Sequence, residues 1–179
     1  MAMLLKSRTF LGSLLGKKIV QVKRQLFAND YAFYDPEIRD QESDGPTEFR
    51  TADGVVFHVV SNTEQMAIEV MLGPAPRFGE CFVSRDVTPN VFWSSRTNKS
   101  IAGVDALQSL YSPDESQFAF GLEVFFTDAE SFVIEYLSDE EHQDQLRITG
   151  PYAGPPCRRV PLEPEGTTRA VALQPLSRP

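Results

Sequence analysis

The sequence has few of the residues whose chemistry usually identifies a reaction. Its 179 residues include two histidines, two cysteines and one tryptophan. It contains no GxSxG, GxxxxGK[ST] or GxGxxG motif, so neither a hydrolase nucleophile nor a phosphate-binding loop is indicated. We therefore predict a protein that is not an enzyme, with no catalytic residue, no metal and no cofactor.

Disulfides and membrane spans are also not indicated. Cys81 and Cys157 lie far apart and outside any CxxC pattern, which favours two reduced thiols over a disulfide framework or a zinc site. No stretch reaches the roughly 20 apolar residues that cross a bilayer. Lys6 and Arg8 interrupt the apolar amino-terminal segment, which is not typical of a signal peptide. These features predict a soluble, cytoplasmic protein that does not bind membranes.

Basic residues are missing from a long part of the chain. Residues 1–29 carry six Lys and Arg and no acid, whereas residues 100–146 carry eleven acids and neither Lys nor Arg; the net charge is −8. Nucleic-acid binding depends on Lys and Arg that displace counterions from phosphates, so it is disfavoured. A basic protein partner is favoured, because opposite charges steer association.

An internal repeat accounts for much of the sequence. GPTEFRTADGVVFHVV at 45–60 and GLEVFFTDAESFVIEY at 121–136 align without a gap at a shift of 75 residues, which places Glu48 over Glu123. Asp-Gly at Asp53 and Gly54 indicates a two-residue hairpin turn. The apolar residues on either side alternate with the period of a strand. Each copy is therefore predicted to form strand, loop, strand, turn, strand, loop and strand.

The repeat sets the predicted architecture. We expect a mainly β fold with little helix, in which two pseudo-repeated antiparallel units pack as one sandwich or open barrel. The domain would span 1–148, with copies at about 17–70 and 99–148 and a Pro-containing connector at 71–98. Residues 149–179 hold seven of the thirteen prolines and should be extended, with TTRAVAL as a candidate edge strand.

Alternation within the second copy makes a further prediction. Phe132, Ile134 and Tyr136 should share one face of a strand, and Ser131, Val133 and Glu135 the other. One of these two faces is expected to contact solvent.

The two histidines are weak candidates for chemistry. His58 lies among valines in a predicted strand, where a hydrogen-bonded sheet histidine is the usual role. His142 lies in SDEEHQDQ, where neighbouring carboxylates favour its protonated form. That segment lacks the EF-hand pattern, so a solvated hairpin loop is favoured over a metal or proton-transfer site.

The repeated pattern of Glu, apolar positions, a Thr-Asp or Asp-Gly turn and an aromatic-rich strand resembles small acidic β-rich immunity proteins. Bacteria encode these proteins beside polymorphic or contact-delivered toxins. The resemblance implies a stoichiometric inhibitor that binds a cognate toxin domain and covers its active site.

Acidic loops are the candidate contacts with such a partner, and approximate twofold symmetry would bring corresponding loops together. The candidate partner-binding residues are Asp40, Glu42, Asp44, Asp114, Glu115, Asp139, Glu140, Glu141 and Asp144.

Two other functions stay open at this point. A ligand-binding or catalytic β-barrel would close around an apolar cavity and turn polar residues such as His58 and Glu135 inward. A structural subunit of a larger assembly, or a homodimer, would pair exposed strand edges with a neighbour.

Overall fold

The fold was analysed in a computed structural model that describes residues 3–27, 42–43, 45–77, 79–111, 118–138 and 143–162. Within these ranges, strands predominate. The helices are α1 (Met3–Gly12) and α2 (Val91–Ser94). The strands are β1 (Ile19–Phe27), β2 (Glu42–Ser43), β3 (Thr47–Thr51), β4 (Val56–Asn62), β5 (Ala67–Leu72), β6 (Phe82–Asp86), β7 (Ile101–Ser109), β8 (Gly121–Phe126), β9 (Ser131–Ser138), β10 (Gln143–Thr149) and β11 (Cys157–Pro161).

The strands form two antiparallel sheets that pack as a sandwich. The first sheet has the order β5-β4-β3-β1-β6, and the second has the order β11-β7-β8-β9-β10-β2. The predicted class, a mainly β protein of two antiparallel units with little helix, is confirmed. The sheets do not close into a barrel, so the barrel expected under the alternative hypothesis does not form.

The two sheets follow one plan, strand for strand. β1, β3, β4 and β5 form a meander, and β7, β8, β9 and β10 form the same meander. In each unit a fifth strand, β6 or β11, then returns to pair with the first strand. Equivalent strands also pair in the same register, because Lys23 lies opposite Glu48 in the first sheet and Asp105 lies opposite Glu123 in the second. The repeat unit therefore has five strands, one more than the sequence pattern predicted.

The fifth strands lie where the sequence suggested connecting or extended chain. β6 falls within the predicted connector 71–98, and β11 lies beyond residue 148, the predicted end of the domain. Both were difficult to recognise because prolines surround them and each is only five residues long. The candidate strand TTRAVAL lies outside the described residues.

The equivalent hairpins share a turn that differs from the predicted one. The amide of Thr51 donates to the carbonyl of Val55, which leaves three residues in the loop instead of two. Gly54 has φ +87°, and its counterpart Ala129 has φ +67°. A left-handed third residue is typical of three-residue hairpin loops. The Asp-Gly pair thus marks the hairpin correctly but not its loop length.

Aromatic side chains join the sheets at the centre of the core. The ring of Phe49 in the first sheet stacks on Phe132 in the second, with centroids 5.9 Å apart. Trp93 of α2 packs edge-on against both rings. Leu11 and Leu14, at and just after the end of α1, are buried in the same core. The connector that carries Trp93 is therefore part of the domain.

Both meanders have their last strand covered at the edge. Ser7 of α1 donates to the carbonyl of Val70, and the amide of Ile68 donates to the carbonyl of Ala119, so these contacts cover β5. On the second sheet, β2 pairs with β10. Such covering limits unintended strand pairing. No helix in the described part of the chain is long and apolar enough to cross a membrane.

One prediction about β9 is wrong. One face of the strand was expected to contact solvent, yet both are buried: even Ser131, Val133 and Glu135, on the outer face that points away from the other sheet, are only 3%, 0% and 7% exposed. The segment after β10 returns over this outer face, where the amide of Tyr152 donates to the carboxylate of Glu123. Alternation identified which residues share a face but gave no information about a loop that covers it.

Candidate functional site: the outer faces of the two sheets

A Gly-Pro segment folds over the outer face of each sheet. After β5, the amide of Ala75 donates to Glu48 Oε2 at 2.9 Å. After β10, the amide of Tyr152 donates to Glu123 Oε1 at 3.2 Å. Gly-Pro immediately precedes both donors, at 73–74 and 150–151. The aligned glutamates therefore have the same structural task, which is to fix the returning segment on the sheet.

The outer face of the second sheet is closed by charged side chains. Glu123 Oε2 forms an ion pair with Nη1 of Arg159, and Glu123 Oε1 accepts from Ser131 Oγ at 2.9 Å. Asp105 Oδ2 lies 3.9 Å from the same guanidinium nitrogen. Glu123 is almost fully buried, so these partners replace the water that its charge would otherwise require.

Tyr152 and Cys157 complete this closed face. The guanidinium of Arg159 lies 5.8 Å from the centre of the Tyr152 ring, and the Tyr152 hydroxyl donates to the carbonyl of Pro155. Burial raises the pKa of Tyr152 and also the pKa of Cys157. Both groups are consequently protonated near neutral pH. A thiol with a raised pKa is a poor nucleophile, so this cluster has a structural character.

Glu135 occupies the same face and has its own cation. Its Oε1 accepts from Arg147 Nε at 2.8 Å and lies 2.7 Å from Arg147 Nη2. Gly121, opposite Glu135 in register, allows this close approach of β8 and β9, because a Cβ there would lie 2.9 Å from the carbonyl oxygen of Ile134 and 3.2 Å from Glu135 Cβ. Glu135 thus points away from the core between the sheets, contrary to the inward position expected in a barrel.

Among the described residues, no counterpart of Tyr152 or Arg159 closes the corresponding face of the first sheet. It contains a pocket of about 390 Å³, bounded by polar and charged side chains and by the apolar residues Phe82 and Pro46. The polar lining includes Lys23, Gln25, Glu48, Arg77 and Ser84. Lys23 Nζ lies 3.8 Å from Glu48 Oε1.

Two small residues account for the opening. Ser84 lies opposite Gln25 in β1, in the same register position that Arg159 occupies opposite Leu107 in β7. Ala75, which donates to its glutamate as Tyr152 does, carries a methyl group where Tyr152 carries a ring. The first sheet therefore lacks the two large side chains that close the second.

His58 lies on the first sheet, opposite Glu48 in register, and is 4% exposed. Its Nδ1 lies 3.0 Å from the carbonyl of Gly73, as expected for a hydrogen-bonded sheet histidine. Its buried Nε2 has no hydrogen-bond partner among the described residues. Among the described residues, no group of three or more His, Cys, Asp or Glu side chains could hold a metal ion.

Most of the predicted partner-binding residues cannot be compared with this geometry. Seven of them lie outside the described residues, as does His142: Asp40, Asp44, Asp114, Glu115, Asp139, Glu140 and Glu141. The other two belong to strands, Glu42 to β2 and Asp144 to β10, and in the backbone register Glu42 lies opposite Arg147.

Exposed apolar side chains border one of the predicted acidic segments. Tyr111 is 97% exposed, and Leu110 and Phe118 are also exposed. These residues flank 112–117, which contains Asp114 and Glu115. Met66, also exposed, lies two residues before Ile68, whose amide donates to the carbonyl of Ala119.

Sequence patterns did not indicate the residues that distinguish the two outer faces. Tyr152, Arg159, Ala75 and Ser84 carried no motif. The Gly-Pro dipeptides 77 residues apart were a usable signal, since they extend the repeat beyond the four strands that were recognised. No protein-family model matches the chain, and neither the curated proteins nor the solved structures gave a match.

Proposed function

We propose that this is a non-enzymatic protein that binds a basic protein partner through acidic surface formed by its second half and by the insertion between β1 and β3. The observation that carries this proposal is the exposure of Leu110, Tyr111 and Phe118 on both sides of the acidic segment 112–117. Tyr and Phe are enriched in protein interfaces, where they contribute large contact areas. A surface with apolar side chains beside carboxylates is complementary to a partner surface in which basic residues surround an apolar patch.

The distribution of charge supports a basic partner. Residues 1–99 contain twelve acids and twelve Lys or Arg, whereas residues 100–179 contain thirteen acids and five Arg. Two of those five, Arg147 and Arg159, already pair with buried or half-buried glutamates of the second sheet. The excess negative charge therefore belongs to the other acids of this half, and it would accelerate encounter with a cation-rich surface.

The pairing of β2 with β10 supports a shared contact surface. β2 belongs to the acidic insertion between β1 and β3, and β10 follows the acidic run 139–142. We propose that acids of these two segments contact the partner together with Asp114 and Glu115. The specific role we infer is that of an immunity protein, which neutralises a cognate bacterial toxin in the cytoplasm. Cys81 and Cys157, both free, suit a reducing compartment.

The experiment starts with the full tagged chain and its native lysate. Bound proteins are captured at low and at high salt and identified by mass spectrometry, and the association rate of the main partner is then measured. We expect one basic, near-stoichiometric partner, with an association rate that falls steeply as salt rises. Capture of no protein, or of a partner whose association does not depend on salt, would refute the proposal.

A pair of charge-matched variants locates the contact. E140A/E141A removes two acids from the candidate surface, whereas E64A/E80A removes two exposed acids from the first half. We expect E140A/E141A to slow association by about tenfold at low salt and E64A/E80A to have a much smaller effect. Equal effects would mean that net charge alone, and not these acids, determines binding.

A further inference from the structure

We propose that the pocket on the outer face of the first sheet binds a small aromatic carboxylate. This inference does not depend on the proposed protein partner, because the pocket lies on the other sheet from β7–β10. No residue of the pocket was among the predicted contacts. The second sheet shows what fills the same place in the other copy of the repeat.

The space available is that of a ring and a polar group. In the second sheet the Tyr152 ring and the Arg159 guanidinium lie above Glu123. Ala75 and Ser84 replace them in the first sheet, and the resulting pocket of about 390 Å³ is within the usual range for small-ligand sites. A compound with one aromatic ring and a short polar group would occupy the space that the Tyr152 ring and the Arg159 guanidinium fill in the second sheet.

The charge of the pocket selects an anion. Lys23 and Arg77 contribute two positive charges, and Glu48 contributes one negative charge. Glu48 is already engaged, because Oε2 accepts from the amide of Ala75 and Oε1 faces Lys23 at 3.8 Å. Arg77 is exposed and pairs with none of the described acids. The remaining positive charge would be neutralised by one carboxylate, the group that a guanidinium binds most specifically.

The walls and the loop complete the fit. The side chain of Phe82 lines one side and Pro46 another, so a ring can bury apolar surface against them. Gln25 Nε2 donates to the carbonyl of Pro76 at 2.6 Å, which fixes the segment that carries Ala75 and Arg77. A site held in this way requires little ordering when a ligand binds.

Benzoate is the probe for the first experiment. The full chain is titrated with benzoate, benzyl alcohol and benzylamine while backbone amide NMR signals are followed. We expect benzoate to shift signals of Lys23, Glu48, Ala75 and Ser84, with an affinity at least about tenfold higher than that of the neutral or cationic compound. Benzoate that shifts no pocket signal, or that binds no better than benzyl alcohol, would overturn the proposal.

Two substitutions test the site further, each with a matched control. S84R restores the residue type found in the second sheet, and its guanidinium should reach Glu48 and fill the pocket; S13R adds the same charge at an exposed position. K23M removes a pocket cation, and K18M removes an exposed lysine outside it. We expect S84R and K23M to weaken benzoate binding about tenfold or more, and the controls to leave it unchanged. Undiminished binding in a folded S84R variant would overturn the proposal, and the wild-type titration decides it independently if S84R does not fold.

Discussion

The outer faces of the two sheets present equivalent glutamates, Glu48 and Glu123, in different surroundings. Each carboxylate accepts a backbone amide from the segment that follows the fourth strand of its unit. Around Glu123, Arg159 and Tyr152 fill the face, whereas around Glu48 the smaller Ser84 and the methyl group of Ala75 leave a pocket. The shared part of the repeat is thus the backbone and its register, and the difference lies in a few side chains.

The source of the balancing charge also differs. In the first sheet Lys23 of β1 neutralises Glu48, while in the second sheet the equivalent position in β7 is Asp105 and the cation comes from β11. A cation on the edge strand covers the face, whereas a lysine on an inner strand does not. The first sheet can therefore keep its glutamate balanced and still leave its surface available to a ligand.

The largest expected difference between the faces concerns the free energy of unfolding. R159A would leave the buried Glu123 with only hydrogen-bond donors. Because the Arg159 side chain is itself 39% exposed, we expect a cost of about 2 kcal/mol, below that of a fully buried pair. K23A would leave the less buried Glu48 nearer to solvent, at a cost of at most about 1 kcal/mol. Urea unfolding of both variants measures the two costs. Similar losses in R159A and K23A would remove the distinction between a closed and an open face.

The hairpin turns provide a second comparison, in which substitutions at equivalent positions should change the free energy of unfolding in opposite directions. Gly54 and Ala129 occupy equivalent positions with positive φ, which costs a residue with a Cβ about 1 kcal/mol. G54A should therefore destabilise the protein by about 1 kcal/mol, and A129G should stabilise it by up to that amount. Thermal or urea unfolding can test both. Destabilisation by A129G would show that the alanine has contacts which outweigh its strained backbone.

The smallest expected effects come from ion pairs that both units contain. Lys17 pairs with Asp53, and Lys99 pairs with Asp128. Hydrogen bonds from these lysines hold the pKa of each aspartate below its ordinary value of 3.8. A lowered folded-state pKa contributes stability above pH 3.8, and that contribution is lost as the pH falls through the lowered pKa.

D53N and D128N should therefore each reduce the loss of stability that the wild-type chain shows on acidification below about pH 4. Because the two pairs are exposed and equivalent, we expect the reductions to be small and alike. Unfolding free energies measured at several pH values between 7 and 3 would test this. A clear effect in one variant alone would show that the units differ here too.

The sequence predicted the features that depend on local pattern. Alternation and turn residues identified the hairpins around Asp53 and Asp128, and the alignment of Glu48 with Glu123 indicated two equivalent units. It did not predict the burial of Glu135, because a strand's alternation does not reveal what later covers its second face. Arg159 could not be assigned to Glu123 either, since that contact depends on how β11 returns across the sheet to pair with β7.

The most direct test of the comparison uses the hydrogen bond that both faces share. Amide hydrogen exchange of Ala75 and Tyr152 can be measured by NMR in the full chain and corrected for intrinsic rates. Because Arg159 and the Tyr152 ring cover the second face, we predict that the Tyr152 amide exchanges about tenfold or more slowly than that of Ala75. Equal protection, or faster exchange at Tyr152, would contradict a closed second face and an open first one.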